Sequence, residues 1–158
     1  MLKYSLTGLV VLLAALLLAA PEVLPMSLNP LKTCVFSAVK ARLTINGVPV
    51  KGATVVRRWK WHSMREERTA TDAAGNFSFP PVYESSVTRF LPMEFVVAQG
   101  MFVVVDGAET QFWANTKRET AENAELGGRA LALVCELKNE MKLTESFGSL
   151  LSTVCTWE

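Results

Sequence analysis

The sequence predicts an all-β fold, an antiparallel β-sandwich of about seven strands with a hydrophobic helix ahead of it and one short helical connection within it. Three observations carry this expectation. From Cys34 onward apolar and polar residues alternate with period two. Gly, Asn, Asp and Pro punctuate that alternation at the spacing typical of sandwiches and barrels. The long uninterrupted apolar run, Leu6 to Ala20, lies outside the alternating region altogether.

That run follows Lys3 and contains no charge, the pattern of a positively charged leader and an apolar segment. As a helix it is about 22 Å long, short of a hydrocarbon core of about 30 Å unless Met1, Leu2, Tyr4 and Val23 to Met26 help to span it. Signal-peptide cleavage favours small residues three and one positions before the cut. Here Pro21 follows Ala20, and Leu17 and Leu18 occupy the outer positions, so an uncleaved anchor is the preferred reading over a cleaved signal. No Cys stands close enough behind the run for a lipoprotein signal. With Lys3 on the cytoplasmic side, the domain is expected on the periplasmic or extracytoplasmic side of a membrane contacted through Leu6 to Ala20, a cleaved and secreted form being the alternative. Residues 1–26 are then the anchor or signal segment, 27–34 a linker stiffened by Pro30, and 35–158 the sandwich.

Within the sandwich the first strand is expected over Val35 to Ile45, with Val39, Ala41, Leu43 and Ile45 on one face, ended by the turn dipeptide Asn46-Gly47. The second runs from Ala53 to Trp61. Val55, Arg57, Trp59 and Trp61 share one of its faces, and its Arg residues suggest a partly solvated edge. A charged connection over His62 to Glu67 follows, and Arg68 to Thr71 leads into a turn at Asp72 to Gly75. Phe77 and Phe79 then point inward on a strand stopped by Pro80-Pro81. Val82 to Pro92 reads as a longer connection. Glu94 to Val105 is a hydrophobic strand in which Gly100 marks a bulge or bend. Thr110 to Lys117 alternates Phe112, Ala114 and Thr116 against Gln111, Trp113 and Asn115. Arg118 to Leu126 is rich in helix formers and stops at Gly127-Gly128, which places the helical connection there. Arg129 to Leu137 and Ser149 to Trp157 supply the last two strands.

Composition narrows the function classes. Sixteen Lys+Arg against 15 Asp+Glu give a net charge of +1 with the signs interspersed, so no field favours a nucleic-acid partner. One His and three Cys leave no material for a metal centre, and no cofactor or catalytic residue is expected.

Gly47 to Val55 (GVPVKGATV) followed by Thr71 to Pro80 (TDAAGNFSFP) closely resembles the carboxypeptidase-regulatory-like, or transthyretin-like, superfamily of β-sandwiches. The physical logic agrees: the first segment links two strands through a Gly-bounded turn, and the second sets a hairpin turn before an inward aromatic pair. Phe36 to Lys40, Thr116 to Glu119, Glu125 to Gly128 and Cys155 to Trp157 are further similar to a family of small bacterial proteins known only as a domain of unknown function. The resemblance implies a Greek-key sandwich of bacterial origin and no particular activity. Enzymes on this sandwich use clustered His, or paired Tyr and His, which His62, Tyr4 and Tyr83 do not supply. Related sandwiches with an internal Lys–Asn or Lys–Asp cross-link place the Lys on the first strand and its partner on the last. Lys40 has no such partner between Ser149 and Trp157.

Cys135 and Cys155 fall on the last two expected strands, and export makes a disulfide between them the preferred pairing. Cys34 is then the odd thiol, with a Cys34–Cys135 bond or buried free thiols as the competing readings. His62 reads as an exposed loop residue. Arg57, Trp59, Trp61 and Trp113 are the candidate binding residues. Exposed, they form an aromatic platform for a sugar or a protein partner; turned inward, they pack the core. The function expected is a non-enzymatic, envelope-located protein-binding module, an inhibitor, immunity factor, scaffold or assembly factor. The alternative is a carbohydrate- or peptidoglycan-binding module using exposed Trp.

Overall fold

A computed structural model describes residues 32–85 and 93–157. The expected anchor and residues 86–92, the rest of the Val82 to Pro92 connection after Ser85, lie outside the described residues. Among those described, no helix is long and apolar enough to cross a membrane.

The described residues are mostly β, and their strands are shorter and more numerous than the alternation suggests. In order they are β1 (Lys32–Phe36), β2 (Val39–Ile45), β3 (Val48–Pro49), β4 (Thr54–Lys60), β5 (Met64–Ala70), β6 (Asn76–Phe79) and β7 (Val82–Ser85). There follow β8 (Val97–Val105), β9 (Ala108–Lys117), β10 (Leu131–Glu136), β11 (Lys142–Thr144), β12 (Leu150–Thr153) and β13 (Cys155–Trp157). One 3₁₀ turn, Ala124–Leu126, stands where one or two helical turns are expected, closed by Gly127 in the left-handed region.

Three sheets result. The largest runs β11-β12-β9-β8-β4-β5, all neighbours antiparallel. The second runs β13-β10-β2, with β6 and β3 sharing the far edge of β2. The third is the ribbon β1-β7. The sandwich is not wholly antiparallel, because β2 and β10 run parallel, Val39 opposite Leu131 and Thr44 opposite Glu136. The connection between them passes through the other sheet, the long crossover a parallel pair requires.

Several expectations hold in detail. Val39, Ala41 and Leu43 of β2 point into one core with Phe77 and Phe79 of β6, Leu131 and Leu133 of β10, and Val55, Met101, Val103 and Leu151 of the large sheet. Phe77 meets Phe112 edge-on at 6.1 Å, joining the two layers. Asn46 and Gly47 take φ of 51° and 75°, the pair of left-handed residues a two-residue hairpin turn requires, and Ile45 faces Val48 across it. Gly75 is needed for space as well as conformation: a Cβ there would lie 2.5 Å from the Leu43 carbonyl oxygen. Asp72 seats that turn by accepting the backbone N–H groups of Ala74 and Asn76, both at 2.8 Å.

Others are corrected. Val35 to Ile45 is two strands in two sheets, broken at Ser37-Ala38, and β1 begins at Lys32, inside the expected linker. The charged connection after Trp61 is largely the edge strand β5. That strand makes β4 an interior strand rather than an edge. Its arginines are tolerated because carboxylates reach them: Glu67 to Arg57 and Glu66 to Arg58 from the neighbouring β5, and Glu109 to Arg58 from β9, across β8. The irregularity expected at Gly100 falls between Met101 and Phe102, where Phe112 of β9 is the extra residue. This bulge turns both Phe112 and Trp113 inward, so beyond it the buried face of β9 is Trp113, Asn115 and Lys117. Ser149 to Trp157 also divides: β12 joins the large sheet and β13 the second, the chain changing layers at Val154.

Candidate functional site

The candidate residues separate into core and rim. Arg57, Trp59 and Trp113 are buried, so they form no exposed platform. Trp59 donates its Nε1–H to Glu84 at 2.6 Å, tying β4 to β7. Trp113, next to the β9 bulge, is fully buried in the core. Arg57 lies between the rings of Phe36 and Phe79, 4.9 and 4.6 Å from their centroids, with Glu67 as its ion-pair partner. Burial pulls its guanidinium below the usual value, opposed by the hydrogen bond and charge of Glu67.

Trp61 differs because it stands just past the end of β4, where the strand leaves the sheet. It is half-buried and stacks on His62 with centroids 4.3 Å apart, while Phe95 meets it edge-on at 5.5 Å. With Thr33, Met93, Glu94 and Thr120 these rings line a pocket of about 160 Å³. Met93 is 66% exposed at its mouth, and an ion pair between Glu94 and Arg118 stands beside it. The floor is held by β1, whose Cys34 N–H donates to the Thr120 carbonyl at 3.1 Å. A flat apolar side chain or a sugar ring fits such a lining, the rings supplying area and the threonines and glutamate supplying polar partners. A wider open depression of about 630 Å³ lies over β2, bordered by Lys40, Arg42, Ser78 and Ala132.

The most polar part of the molecule is inside it. Glu125, from the 3₁₀ turn, is fully buried and accepts four hydrogen bonds: from Ser37 N (3.0 Å), Ser37 Oγ (2.6 Å), Gln99 Nε2 (2.8 Å) and Lys117 Nζ (2.9 Å). Burial by itself raises this carboxyl's pKa, but the charge of Lys117 and the bonds from Ser37, Lys117 and Gln99 outweigh it, leaving the group below its usual range. Lys117 also reaches Ser37 Oγ at 3.3 Å and Cys34 Sγ at 3.8 Å. Asn115 Nδ2 donates to Gln99 Oε1 at 2.9 Å. Burial pushes the Cys34 thiol up, against the pull of Lys117 and Ser37, and a thiol so held is not a reactive nucleophile. Cys135 and Cys155, directly opposite one another on β10 and β13, form a disulfide, and Cys34 is free.

The sequence carries little sign of this network. Ser37 and Glu125 are 88 positions apart, and a Lys just before an expected helical connection and a Glu within it read as solvated residues. The one signal was Ser37-Ala38 itself, small residues interrupting an apolar strand. Among the described residues no three His, Cys, Asp or Glu side chains are grouped to hold a metal ion.

A family model described as a domain of unknown function (DUF6795) matches residues 39–140. The chain belongs to that family. The matched span runs from the start of β2 to just beyond β10 and includes the pocket's Trp61, His62, Met93, Glu94, Phe95 and Thr120. No curated protein and no solved structure matches the chain.

Proposed function

We propose that this member of the family is a non-enzymatic binding module of the cell envelope, held at the membrane by Leu6 to Ala20 with its domain on the extracytoplasmic side. It engages another protein, as inhibitor, immunity factor, scaffold or assembly factor, through the end of the sandwich that carries Trp61. The observation that supports this best is the pocket itself: a half-buried Trp, a Phe edge and an exposed Met around a small concavity, with charged residues beside them. Aromatic anchors within a polar rim are the parts of a protein-binding hot spot. The transthyretin-like reading belongs to the same proposal and rests on Gly47 to Val55 and Thr71 to Pro80.

The test is affinity capture from source-cell envelopes with the full chain and with Trp61→Ala. One protein captured in near-stoichiometric yield by the wild type and lost with Trp61→Ala supports the reading; equal capture by both chains overturns the assignment of the site. The carbohydrate reading draws on the same residue, since Trp61 borders this pocket whereas Trp59 and Trp113 are buried. A change in tryptophan fluorescence with peptidoglycan fragments that disappears in Trp61→Ala would favour it over a protein partner.

A further inference from the structure

The arginines around the large sheet are neutralised in place: Arg57, Arg58, Arg65, Arg68 and Arg118 each reach a glutamate. Arg42 of β2 does not. Among the described residues it makes no ion pair, and neither does Lys40, two positions before it. Strand register explains why the two are left bare. Both point away from the core on one face of β2, about 7 Å apart along the strand. Lys40 stands between Ala132 of β10 and Ser78 of β6, and Arg42 between Val134 and Asn76. None of these four neighbours carries a charge, and Ala132 and Ser78 are too short to cover the lysine. The result is the open depression of about 630 Å³ over β2.

The carboxylate on its border is already engaged. Asp72 accepts the backbone N–H groups of Ala74 and Asn76 and, at 3.2 Å, Asn76 Nδ2. Two cations against this one carboxylate leave the depression positive. Arg42 is also aimed. Its Nε donates to the Ala74 carbonyl oxygen at 3.2 Å, which orients the guanidinium plane and leaves Nη1 and Nη2 as a pair of donors for another group.

We infer that this depression binds a phosphoryl group, with Arg42 Nη1 and Nη2 donating to two of its oxygens, Lys40 Nζ to a third, and the Ser78 hydroxyl as a further donor. The donor set separates this ligand from a carboxylate, whose two oxygens the Arg42 fork alone would satisfy, leaving Lys40 unanswered. A bound anion also relieves the repulsion between two neighbouring cations. The depression is larger than one phosphoryl group, so the ligand carries more than its phosphate, and Ala132 and the exposed Val134 supply an uncharged floor for the rest. A soluble phosphorylated molecule and a phospholipid headgroup offer the same chemistry. The depression shares no residue with the Trp61 pocket, so the inference does not rest on the function proposed for that pocket.

The experiment is a titration of the purified full chain, in an uncharged detergent at fixed ionic strength, followed by NMR shifts of the β2, β6 and β10 amides. The probes are inorganic pyrophosphate, dihexanoyl-phosphatidylglycerol below its micelle concentration, and acetate. Saturable shifts with pyrophosphate or the lipid are expected. Affinity should fall by about tenfold or more in Lys40→Gln/Arg42→Gln and stay unchanged in Lys60→Gln/Lys142→Gln, which removes the same charge elsewhere. Tighter binding of pyrophosphate assigns a soluble ligand, and tighter binding of the lipid assigns a headgroup. The proposal is overturned by shifts that do not saturate below about 10 mM, or by affinity that is equal in the wild type and Lys40→Gln/Arg42→Gln. An equal fall in both double variants also overturns it, as does acetate binding as tightly as the phosphate compounds.

Discussion

Glu125 and Glu136 each accept four hydrogen bonds, and each carboxyl is held below its usual range, but by different means. Around Glu125 three of the donors are side chains, one of them a buried ammonium, and no solvent shares the load. Glu136 sits at the surface end of β10 and takes three backbone N–H groups, from Gly47, Asn46 and Lys138, together with the Thr44 hydroxyl. The two glutamates do similar structural work, the first joining the break between β1 and β2 to β8 and β9, and the second clamping the β2-β3 hairpin turn onto β10. The difference lies in what remains when a partner is lost: water can replace any donor at Glu136, and nothing can at Glu125.

The largest effect expected from that difference comes from removing the buried cation. Lys117→Met leaves Glu125 without its counter-charge in the interior and should cost about 3–5 kcal/mol, as truncating one partner of a buried pair does. Urea unfolding followed by tryptophan fluorescence measures it. Pairing Lys117→Met with Glu125→Leu removes both charges and should recover part of the loss. If the double variant is no better than the single one, the burden lies in the Ser37 and Gln99 bonds rather than in the charge.

A second change sharpens the comparison from the other side. The disulfide links Cys135, the residue next to Glu136, to Cys155 twenty positions on, and so holds β10 to β13. Replacing both cysteines by serine should cost about 3 kcal/mol if the loss is mainly freedom returned to the unfolded chain. The Glu136 clamp should survive it, because β10 keeps its pairing with β2. Amide hydrogen exchange at Gly47 reports this directly: protection unchanged in the double serine variant shows that the turn does not depend on the disulfide, and lost protection shows that it does.

What was legible in the sequence was what neighbouring residues encode. The Asn46-Gly47 and Asp72 to Gly75 turns, the inward Phe77 and Phe79, and the inward alternation of Val39, Ala41 and Leu43 all follow from local pattern, and Cys135 and Cys155 follow from chemistry and spacing. What was hidden depends on partners distant in the chain. Arg57 reads as an edge residue until Glu67, Phe36 and Phe79 close around it. Trp113 points inward only because of a one-residue bulge, and period-two counting carries no mark of such an insertion. The division at Ser37-Ala38 is marked only by two small residues, and the one at Val154 is hidden inside an apolar run that reads as a single strand. Of the candidate binding residues only Trp61 lies at the rim, and it does so because β4 ends at Lys60.

The smallest effect expected is at Glu136, and its dependence on pH distinguishes it from a simple loss of packing. The Gly47 N–H and the other donors hold this carboxyl down at about 2. In the unfolded chain it titrates near the ordinary glutamate value of about 4.3. A carboxyl depressed by folding contributes stability that is fully present above its unfolded pKa and is lost as pH falls toward its folded one. Glu136→Gln should therefore be less stable than wild type at neutral pH, with the gap narrowing between about pH 4.3 and 2, where the wild type loses the contribution that the variant never had. Thermal unfolding of both chains across that range measures it. A gap that stays constant with pH would mean that the geometry of the turn, and not the charge of Glu136, is what the four donors stabilise.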